Sequence, residues 1–341
     1  MAPERHYMLM LMLLLLPALA AGMALLRSDT TDESGSLWSD YRDTFIHDGR
    51  VIDTGNQNIS HTEGQGWALL MAEYHDDRDT FEALWGWTLA TLYDRHSNLF
   101  SWRYRPGDTP PVSDPNNATD GDLLIAWALL RASLRWEDPA HITAATHLRE
   151  AIRRHLVREQ AGYTILLPGK EGFVHKGHRV INLSYLVMPA LRDFAALEPD
   201  GPWQRLMDDG RKLLDQGRFG EHALPPDWLA LDDEGQLSPA TGWPPRFAYE
   251  GVRIPLYFVW AGERDLPALV AINAFWNQTQ PAWVDVMTGA TAEYGLSRGG
   301  QAIAALLAGS VEAMPAEFSV RRDYYSSSLL LLTHMALAES L

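Results

Sequence analysis

The sequence predicts an all-α protein. Amphipathic segments with apolar residues three and four positions apart recur along most of the chain, which is the period of a helix packed on one face. Loops rich in Gly, Pro and Asn separate them, and only Tyr163–Leu167 and Gly172–Val174 are strand-like. Since we find no long linker or break in composition, we expect a single domain over residues 37–341.

The periodic segments give the expected helices in chain order. They lie near residues 37–46, 62–75, 79–94, 121–136, 140–157, 183–197, 202–216, 250–261, 265–276, 299–308 and 320–338. The longest loops fall at 105–119, 225–246 and 277–298. Exact internal repeats are not visible. A bundle, a solenoid and a closed barrel of helical hairpins all satisfy this pattern.

The N-terminus has the pattern of an export signal. Arg5 precedes an apolar run over residues 8–16, and small residues follow. We expect residues 1–20 to be a signal peptide cut after Ala20, and residues 21–36 to be a flexible lead-in. An uncleaved anchor is the alternative, because apolar residues continue past that position. No later segment reaches the ~20 apolar residues of a membrane span, so the mature protein is expected in the periplasm or medium, without a membrane span.

Charge and composition narrow the possible partners. Lys and Arg total 28 against 44 Asp and Glu, a net charge of -16, which disfavours nucleic acid and anionic lipid and suits a neutral substrate. The absence of cysteine excludes thiol nucleophiles, cysteine-based zinc sites and disulfides. Thirteen Trp and twelve Tyr exceed the usual needs of a core. We expect a monomer with no metal or cofactor.

The first candidate acid is Glu63, at the start of a predicted helix. Ser60 or Thr62 is expected to cap that helix. Gly64 and Gly66 in its first turn are costly for a helix, and they are reasonable only where another group approaches the backbone closely. The simpler interpretation of Glu63 is a carboxylate that stabilises the helix dipole.

Two more predicted helices begin with acids. Asp120 and Asp122 are two positions apart, so at most one faces a site and the other is a cap or a hydrogen-bond partner. Glu250 follows a Pro-rich loop, and Arg253 shares its helix face, for which an ion pair is the simplest interpretation. Acids at three helix starts favour paired-carboxylate chemistry, above all glycoside cleavage, and Trp and Tyr rings stack on sugars.

The stretch from Ala118 to Trp136 resembles the signature of glycoside hydrolase family 8, with A-T-D-G-D, then I-A and A-L-L at the expected spacing. Residues 62–66 look like that family's S-E-G-Q-G/S-Y-G segment, and residues 249–253 are similar to its Y-D-A-x-R segment. Weaker echoes are L-F-S-W at 99–102, N-L-S-Y at 182–185 and Y-Y at 324–325. Within the family, the chain is most similar to the periplasmic endoglucanases that accompany bacterial cellulose synthases.

The resemblance implies an (α/α)6 barrel of helical hairpins with a cleft at one end, spanning residues 37–338. It also implies an endo-β-1,4-glucanase that cleaves β-1,4-glucan chains with inversion, during bacterial cellulose synthesis and export. A cellulose synthase complex is then an expected partner.

The resemblance also implies residue roles. Glu63 would be the general acid. Asp120 would be the residue that the signature marks as catalytic, in contact with the distorted sugar. Glu250 stands where the family has its Asp base and is one methylene longer, while Gly251 in place of Ala adds room nearby. The expected substrate-binding residues are Trp102, Tyr185, Tyr249 and Arg253.

Other sequence patterns are weaker evidence for a function. Ser297 lies in a G-x-S-x-G sequence, but this motif needs a preceding strand and residues 290–294 are a weak one. His175 and His178 lie on a predicted loop without an H-E-x-x-H zinc motif. The remaining alternatives are a glycan-binding or scaffold component of a polysaccharide secretion system, and a hydrolase of a related β-glycan. A lyase or hydrolase of anionic sugars is disfavoured by the net charge.

Overall fold

The computed structural model describes residues 35–340. The expected signal peptide and residues 21–34 of the lead-in lie outside this range, and residues 35 and 36 are already helical. The helices are α1 (35–45), α2 (Thr62–Tyr74), α3 (Arg78–Leu92), α4 (Thr119–Arg135), α5 (Pro139–His155), α6 (Met188–Leu197), α7 (Trp203–Gln216), α8 (Arg253–Trp260), α9 (Pro267–Gln278), α10 (Arg298–Ala308) and α11 (Tyr324–Ser340). They follow the predicted segments closely. Single 3-10 turns cover Leu183–Tyr185 and Val311–Ala313.

Six helices form a closed inner ring. Neighbour contacts run from α2 to α4, α6, α8, α10 and α11, and from α11 back to α2. Helices α3, α5, α7 and α9 pack outside α2, α4, α6 and α10, and Tyr41 of α1 hydrogen-bonds Ser328 of α11 at 3.0 Å. The expected (α/α)6 barrel is therefore confirmed, and of the three architectures that periodicity allowed, the closed barrel is the one that forms.

Burial explains why each helix takes its layer. All eight residues of α8 are buried, and α11 is buried from Tyr324 to Leu337 except Tyr325, because a helix inside a ring has neighbours on every side. The outer helices are amphipathic and carry local start signals. Asp77 caps α3 at Thr80 N (3.1 Å), and Asp138 caps α5 ahead of Pro139.

Short strands are more numerous than the sequence predicted. They are β1 (Ile46–His47), β2 (Arg50–Val51), β3 (Ser60–His61), β4 (Tyr93–Asp94), β5 (Leu99–Phe100), β6 (Arg103–Tyr104), β7 (Val157–Gln160), β8 (Tyr163–Leu166), β9 (Val174–His175), β10 (His178–Ile181), β11 (Leu229–Asp232), β12 (Leu237–Pro239), β13 (Arg246–Phe247) and β14 (Val284–Asp285). None exceeds four residues, too short for an alternating pattern to stand out in the sequence. Strands β9 to β12 form one antiparallel sheet in the order β12-β11-β10-β9.

Between residues 35 and 340, we find no helix with the length and apolar character needed to cross a bilayer. The three helices that begin beside candidate acids, α2, α4 and α8, belong to the inner ring and bring those acids together at one end of it.

Candidate active site

Glu63 lies in the first turn of α2, with its side chain 15% exposed. The residue that caps this helix is His61, whose Nδ1 accepts the Gly64 N–H at 3.1 Å, so the prediction of Ser60 or Thr62 as the cap was wrong. His61 also lies 3.6 Å from Asp53. The β3 strand that carries His61 pairs with β6, which fixes where α2 begins.

The glycines beside Glu63 allow other groups to approach the helix backbone closely, as predicted from the sequence. A Cβ on Gly64 would overlap the Tyr324 hydroxyl of α11, and one on Gly66 would lie 2.6 Å from Cβ of Leu124 in α4. A Cβ on Gly121 would in turn overlap Thr62. The N-terminal ends of α2 and α4 therefore lie against each other, and this places Glu63 and Asp120 side by side.

The two acids of α4 have different surroundings. Asp120 points to Arg253, whose Nη1 lies 3.4 Å from Oδ2, while its Oδ1 accepts the Gly121 N–H at 2.8 Å. Asp122 is fully buried and accepts the Phe100 N–H at 3.0 Å and the Asn117 amide at 2.8 Å. As expected from their spacing, one acid faces the candidate site and the other holds neighbouring chain in place.

Arg253, at the start of α8, joins the three candidate acids. Its side chain is 2% exposed. Nη1 contacts Glu63 as well as Asp120, and Nη2 contacts Glu250. The simple Glu250–Arg253 ion pair is thus part of a larger cluster, in which one buried cation compensates three carboxylates.

Glu250 precedes α8 on a loop and is 26% exposed at its side chain. Its Oε2 receives Asn182 Nδ2 at 3.0 Å, Ser184 Oγ at 3.3 Å and Arg253 Nη2. Among residues 35–340 every hydrogen bond to this carboxylate ends on Oε2, which leaves Oε1 for a water or substrate.

Burial and neighbouring charges raise the pKa values of Asp120 and Glu250. Burial raises the pKa of Asp120 to about 6, against the Gly121 N–H and His61, which lower it. Burial, and then the charges of Asp227 and Asp120, raise the pKa of Glu250 to about 8. At neutral pH the raised pKa favours the protonated carboxyl of Glu250, so Glu250 becomes able to accept a proton as the pH rises through about 8.

The predicted aromatic contacts lie in different settings around this cluster. Tyr185 is buried with its ring 5.9 Å from Cζ of Arg253, and Tyr249 is 59% exposed with its carbonyl bound by the Tyr325 hydroxyl. Trp102 is half-buried, donates to Asp114 at 2.7 Å and lies under the Arg103 guanidinium. Aromatic side chains thus lie both buried beside Arg253 and exposed on the surface nearby.

A cavity of about 660 Å³ is lined by Tyr249 and Val252, the chain neighbours of Glu250 and Arg253, and by Tyr325, but not by the three candidate acids themselves. Asp53, Tyr294 and Asp323 also contribute to its wall. A space of this size, lined by carboxylates and tyrosines, suits a polyhydroxylated ligand that needs both hydrogen bonds and ring contacts.

The chain is similar to known glycoside hydrolases over nearly its whole length. The model of the glycosyl hydrolases family 8 matches residues 5–339. This chain belongs to glycosyl hydrolases family 8. A probable endoglucanase of Novacetimonas hansenii is 41% identical over 314 residues, covering 90% of this chain and 92% of the relative. The expected family and the expected glycoside hydrolase are thus confirmed.

Solved structures of endoglucanases superpose on it closely. The endoglucanase Cel10 of Klebsiella pneumoniae has a TM-score of 0.86 at 40% identity, over 90% of this chain and 100% of that one. The endo-β-1,4-glucanase CMCax of Acetobacter xylinum has a TM-score of 0.83 at 40% identity, over 91% and 99%.

The competing motifs have structural roles in this family 8 chain. Ser297 caps α10 by accepting the Gly300 N–H at 3.2 Å, and residues 290–294 form no strand, so the serine hydrolase interpretation is wrong. His175 and His178 face each other across the β9–β10 pair, with ring centroids 4.8 Å apart, and not on a loop.

Within residues 35–340, one group of side chains has the spacing of metal ligands. Glu82, Asp138 and His141 meet between α3 and α5, away from the acid cluster. Arg78 already places a cation there, 2.9 Å from Asp138 and 3.6 Å from Glu82. This group is an ion-pair network.

Sequence reasoning missed four residues of the site. Asn182 and Ser184 bind Glu250, Asp227 lies behind it, and Trp228 stacks between Phe173 and Trp243 with its edge toward Tyr185. The first two are in the N-L-S-Y echo, from which only Tyr185 was selected. Asp227-Trp228, an acid beside an aromatic after two prolines, was the available signal for the others.

Proposed function

We propose that this protein is an endo-β-1,4-glucanase that hydrolyses β-1,4-glucan with inversion of the anomeric centre. The observation that carries the proposal is the contact of one buried guanidinium, Arg253, with Glu63, Asp120 and Glu250 at one end of the barrel. The endoglucanase names of the similar proteins support the substrate class.

In the proposed reaction, Glu63 gives its proton to the glycosidic oxygen as the bond from that oxygen to the anomeric carbon breaks. A water attacks the opposite face of the sugar, and Glu250 takes the proton of that water through Oε1. Asp120 remains beside the ring, where its charge stabilises the oxocarbenium-like transition state. Proton exchange with solvent then restores Glu63 and Glu250 to their starting states.

The expectation of inversion rests on the membership of glycosyl hydrolases family 8. Glu63 and Glu250 bind different terminal nitrogens of Arg253, so a guanidinium edge lies between their carboxyl groups. Inverting enzymes need about 6.5–9.5 Å between acid and base for the water, whereas retaining enzymes need about 5–5.5 Å. The stereochemistry of the product therefore decides between the two arrangements.

The proposal extends to the setting of the enzyme. An exported monomer that trims β-1,4-glucan chains beside a cellulose synthase fits the basic-then-apolar N-terminus and the net charge of -16. Fractionation of cells that express the full chain tests export, and co-purification with a synthase tests the partner.

Two other functions stay open to test: a glycan-binding or scaffold role without turnover, and hydrolysis of a related β-glycan. Purified protein is incubated with a soluble cellulose derivative, cello-oligosaccharides and xylo-oligosaccharides, and the products are separated by length. We expect internal cleavage of the cellulose substrates. Binding without products would favour the scaffold role, and faster cleavage of xylo-oligosaccharides would favour the related glycan.

Shortening Glu250 should slow the reaction without stopping it. In Glu250→Asp the carboxylate retreats by one methylene from Asn182 and Ser184, and we expect kcat to fall about tenfold, which corresponds to about 1.4 kcal/mol of barrier. Glu250→Gln should lose far more, because an amide cannot take the proton of water. Unchanged kcat in both variants would remove Glu250 from the base role.

Trp102→Ala should weaken cello-oligosaccharide binding by about 1–3 kcal/mol, taking the scale from aromatic side chains stacked on nucleic-acid bases. Trp136 is a matched control, since it too donates to a carboxylate at 2.7 Å (Asp76) under an arginine (Arg78), but at the far end of α4. Calorimetry should show the affinity loss only for Trp102→Ala. Equal affinities with a lower Tm for Trp102→Ala would make that ring structural.

A further inference from the structure

Asp227 lies against the loop that carries Glu250. Its Oδ1 accepts the N–H of Ala248 and the N–H of Gly251, both at 2.8 Å. Its own N–H donates to the Arg246 carbonyl at 2.7 Å, which fixes Asp227 to the chain entering that loop. One carboxylate oxygen therefore holds the backbone on both sides of Tyr249 and Glu250.

Gly251 makes this contact possible. A Cβ at this position would lie 2.5 and 2.9 Å from the buried ring of Phe247 and 3.1 Å from Oδ1 of Asp227. The space at Gly251 is thus filled by Phe247 and Asp227 and is not free for the Glu250 side chain, contrary to the expectation from the sequence. What the missing methyl group allows is the close approach of the loop backbone to Asp227 and Phe247.

The far end of Glu250 is fixed as well. Asn182, Ser184 and Arg253 all bind its Oε2. A side chain anchored at its tip can be longer only if the backbone at its base lies further back. We propose that Asp227 is a positioning residue, which holds the 248–251 loop away from the cleft so that the long side chain of Glu250 presents its carboxylate as the base. The inference rests on the proposed function of Glu250.

Asp227 also adds charge to this region. The titratable and charged groups around Glu250 are Asp227, Asp120, Glu63 and Arg253, with the hydroxyls of Tyr185, Tyr257 and Tyr325. Asp227 is one of the carboxylates whose charge raises the pKa of Glu250, and Arg246 partly offsets the charge of Asp227 itself. Removal of this charge lowers the pKa of Glu250, so the ascending limb of the pH–rate profile should move to lower pH.

The test compares Asp227→Ala with Asp227→Asn on cello-oligosaccharides. Asp227→Ala loses both loop bonds, and we expect kcat to fall about tenfold to a hundredfold with KM within about threefold of the wild type, because small misplacements of a reacting group are costly. Asp227→Asn keeps an oxygen for both N–H groups. We expect it to retain most of kcat, with its ascending limb displaced to lower pH. Asp209→Ala is the control. Asp209 is a buried residue of the outer helix α7 that accepts the Thr164 N–H, and its loss should lower Tm without changing kcat.

Crystal structures of the wild type and Asp227→Ala give a readout independent of turnover, and we expect the 248–251 loop and the Glu250 carboxylate to move. An unmoved loop in Asp227→Ala overturns the inference, whether or not the wild type is active. An inactive wild type, by itself, contradicts only the proposed function. Equal and complete loss of kcat in Asp227→Ala and Asp227→Asn also overturns it, because Asp227 would then be the base.

Discussion

Glu63→Gln is expected to lower kcat by about a thousandfold or more while cello-oligosaccharide binding stays within a few-fold of the wild type. The amide has nearly the shape of the carboxyl group and keeps an oxygen for Arg253, but it has no proton of suitable acidity for the leaving oxygen. Loss of a general acid removes about 10²–10⁴ in rate, and here the acid also belongs to a coupled cluster. Single-turnover rates with calorimetric binding separate the two effects.

Glu73→Gln is the matched control for this prediction. Glu73 is a buried acid on the same helix, and it contacts Arg131 and Arg135 at 2.6 Å at the opposite end of α2 from Glu63. That variant should lower Tm and leave kcat near the wild type. If Glu63→Gln keeps more than about a tenth of the wild-type rate, Glu63 is not the general acid.

Arg253→Met is expected to cost about 3–5 kcal/mol of folding free energy and to abolish turnover. It removes the guanidinium that contacts Glu63, Asp120 and Glu250, and these carboxylates lose that compensation. Denaturant unfolding followed by tryptophan fluorescence measures the loss. Arg149→Met is the control. It removes a buried cation of the outer helix α5 that pairs with Glu198, and it should destabilise the protein while kcat stays unchanged.

The destabilisation by Arg253→Met should depend on pH in a defined direction. The folded-state pKa values of Asp120 and Glu250 are already raised, to about 6 and about 8, and loss of the cation raises them further. An acid with a raised folded pKa destabilises the fold above its unfolded value, and the penalty disappears as pH falls. The stability difference from the wild type should therefore be smallest toward pH 4, grow above about pH 6 through Asp120, and grow further above about pH 8 through Glu250. A difference that grows on acidification would contradict this assignment of charges.

The helices could be predicted from the sequence because their period is long and repeated. Segment 202–216 is observed as α7 over Trp203–Gln216, with apolar residues on one face. The ring closure could not be read from the same pattern, since an apolar face does not say which helix will cover it. The two-residue strands β3 and β6 were missed for another reason: their pairing places α2, yet two residues carry no periodicity.

The acids of the candidate site could be proposed from the sequence, but their contacts with one another could not. Helix starts and a family signature pointed to Glu63, Asp120 and Glu250. That Arg253 contacts all three, and that Gly251 packs on Phe247 and Asp227, depends on contacts between residues far apart in the chain. Asp227 shows the limit most clearly, because an acid in a Pro-rich loop has no pattern until the loop that it binds is placed beside it.

The stereochemistry of the first product tests the central claim, an inverting hydrolysis by Glu63 and Glu250, most directly. Proton NMR of a cello-oligosaccharide digest, recorded before mutarotation, distinguishes the two anomers of the new reducing end. We predict that the α-anomer appears first and the β-anomer follows at the rate of mutarotation, because a water activated by Glu250 attacks from the opposite face. An initial β-anomer would contradict the account, since it requires Glu250 or Asp120 to attack the sugar directly.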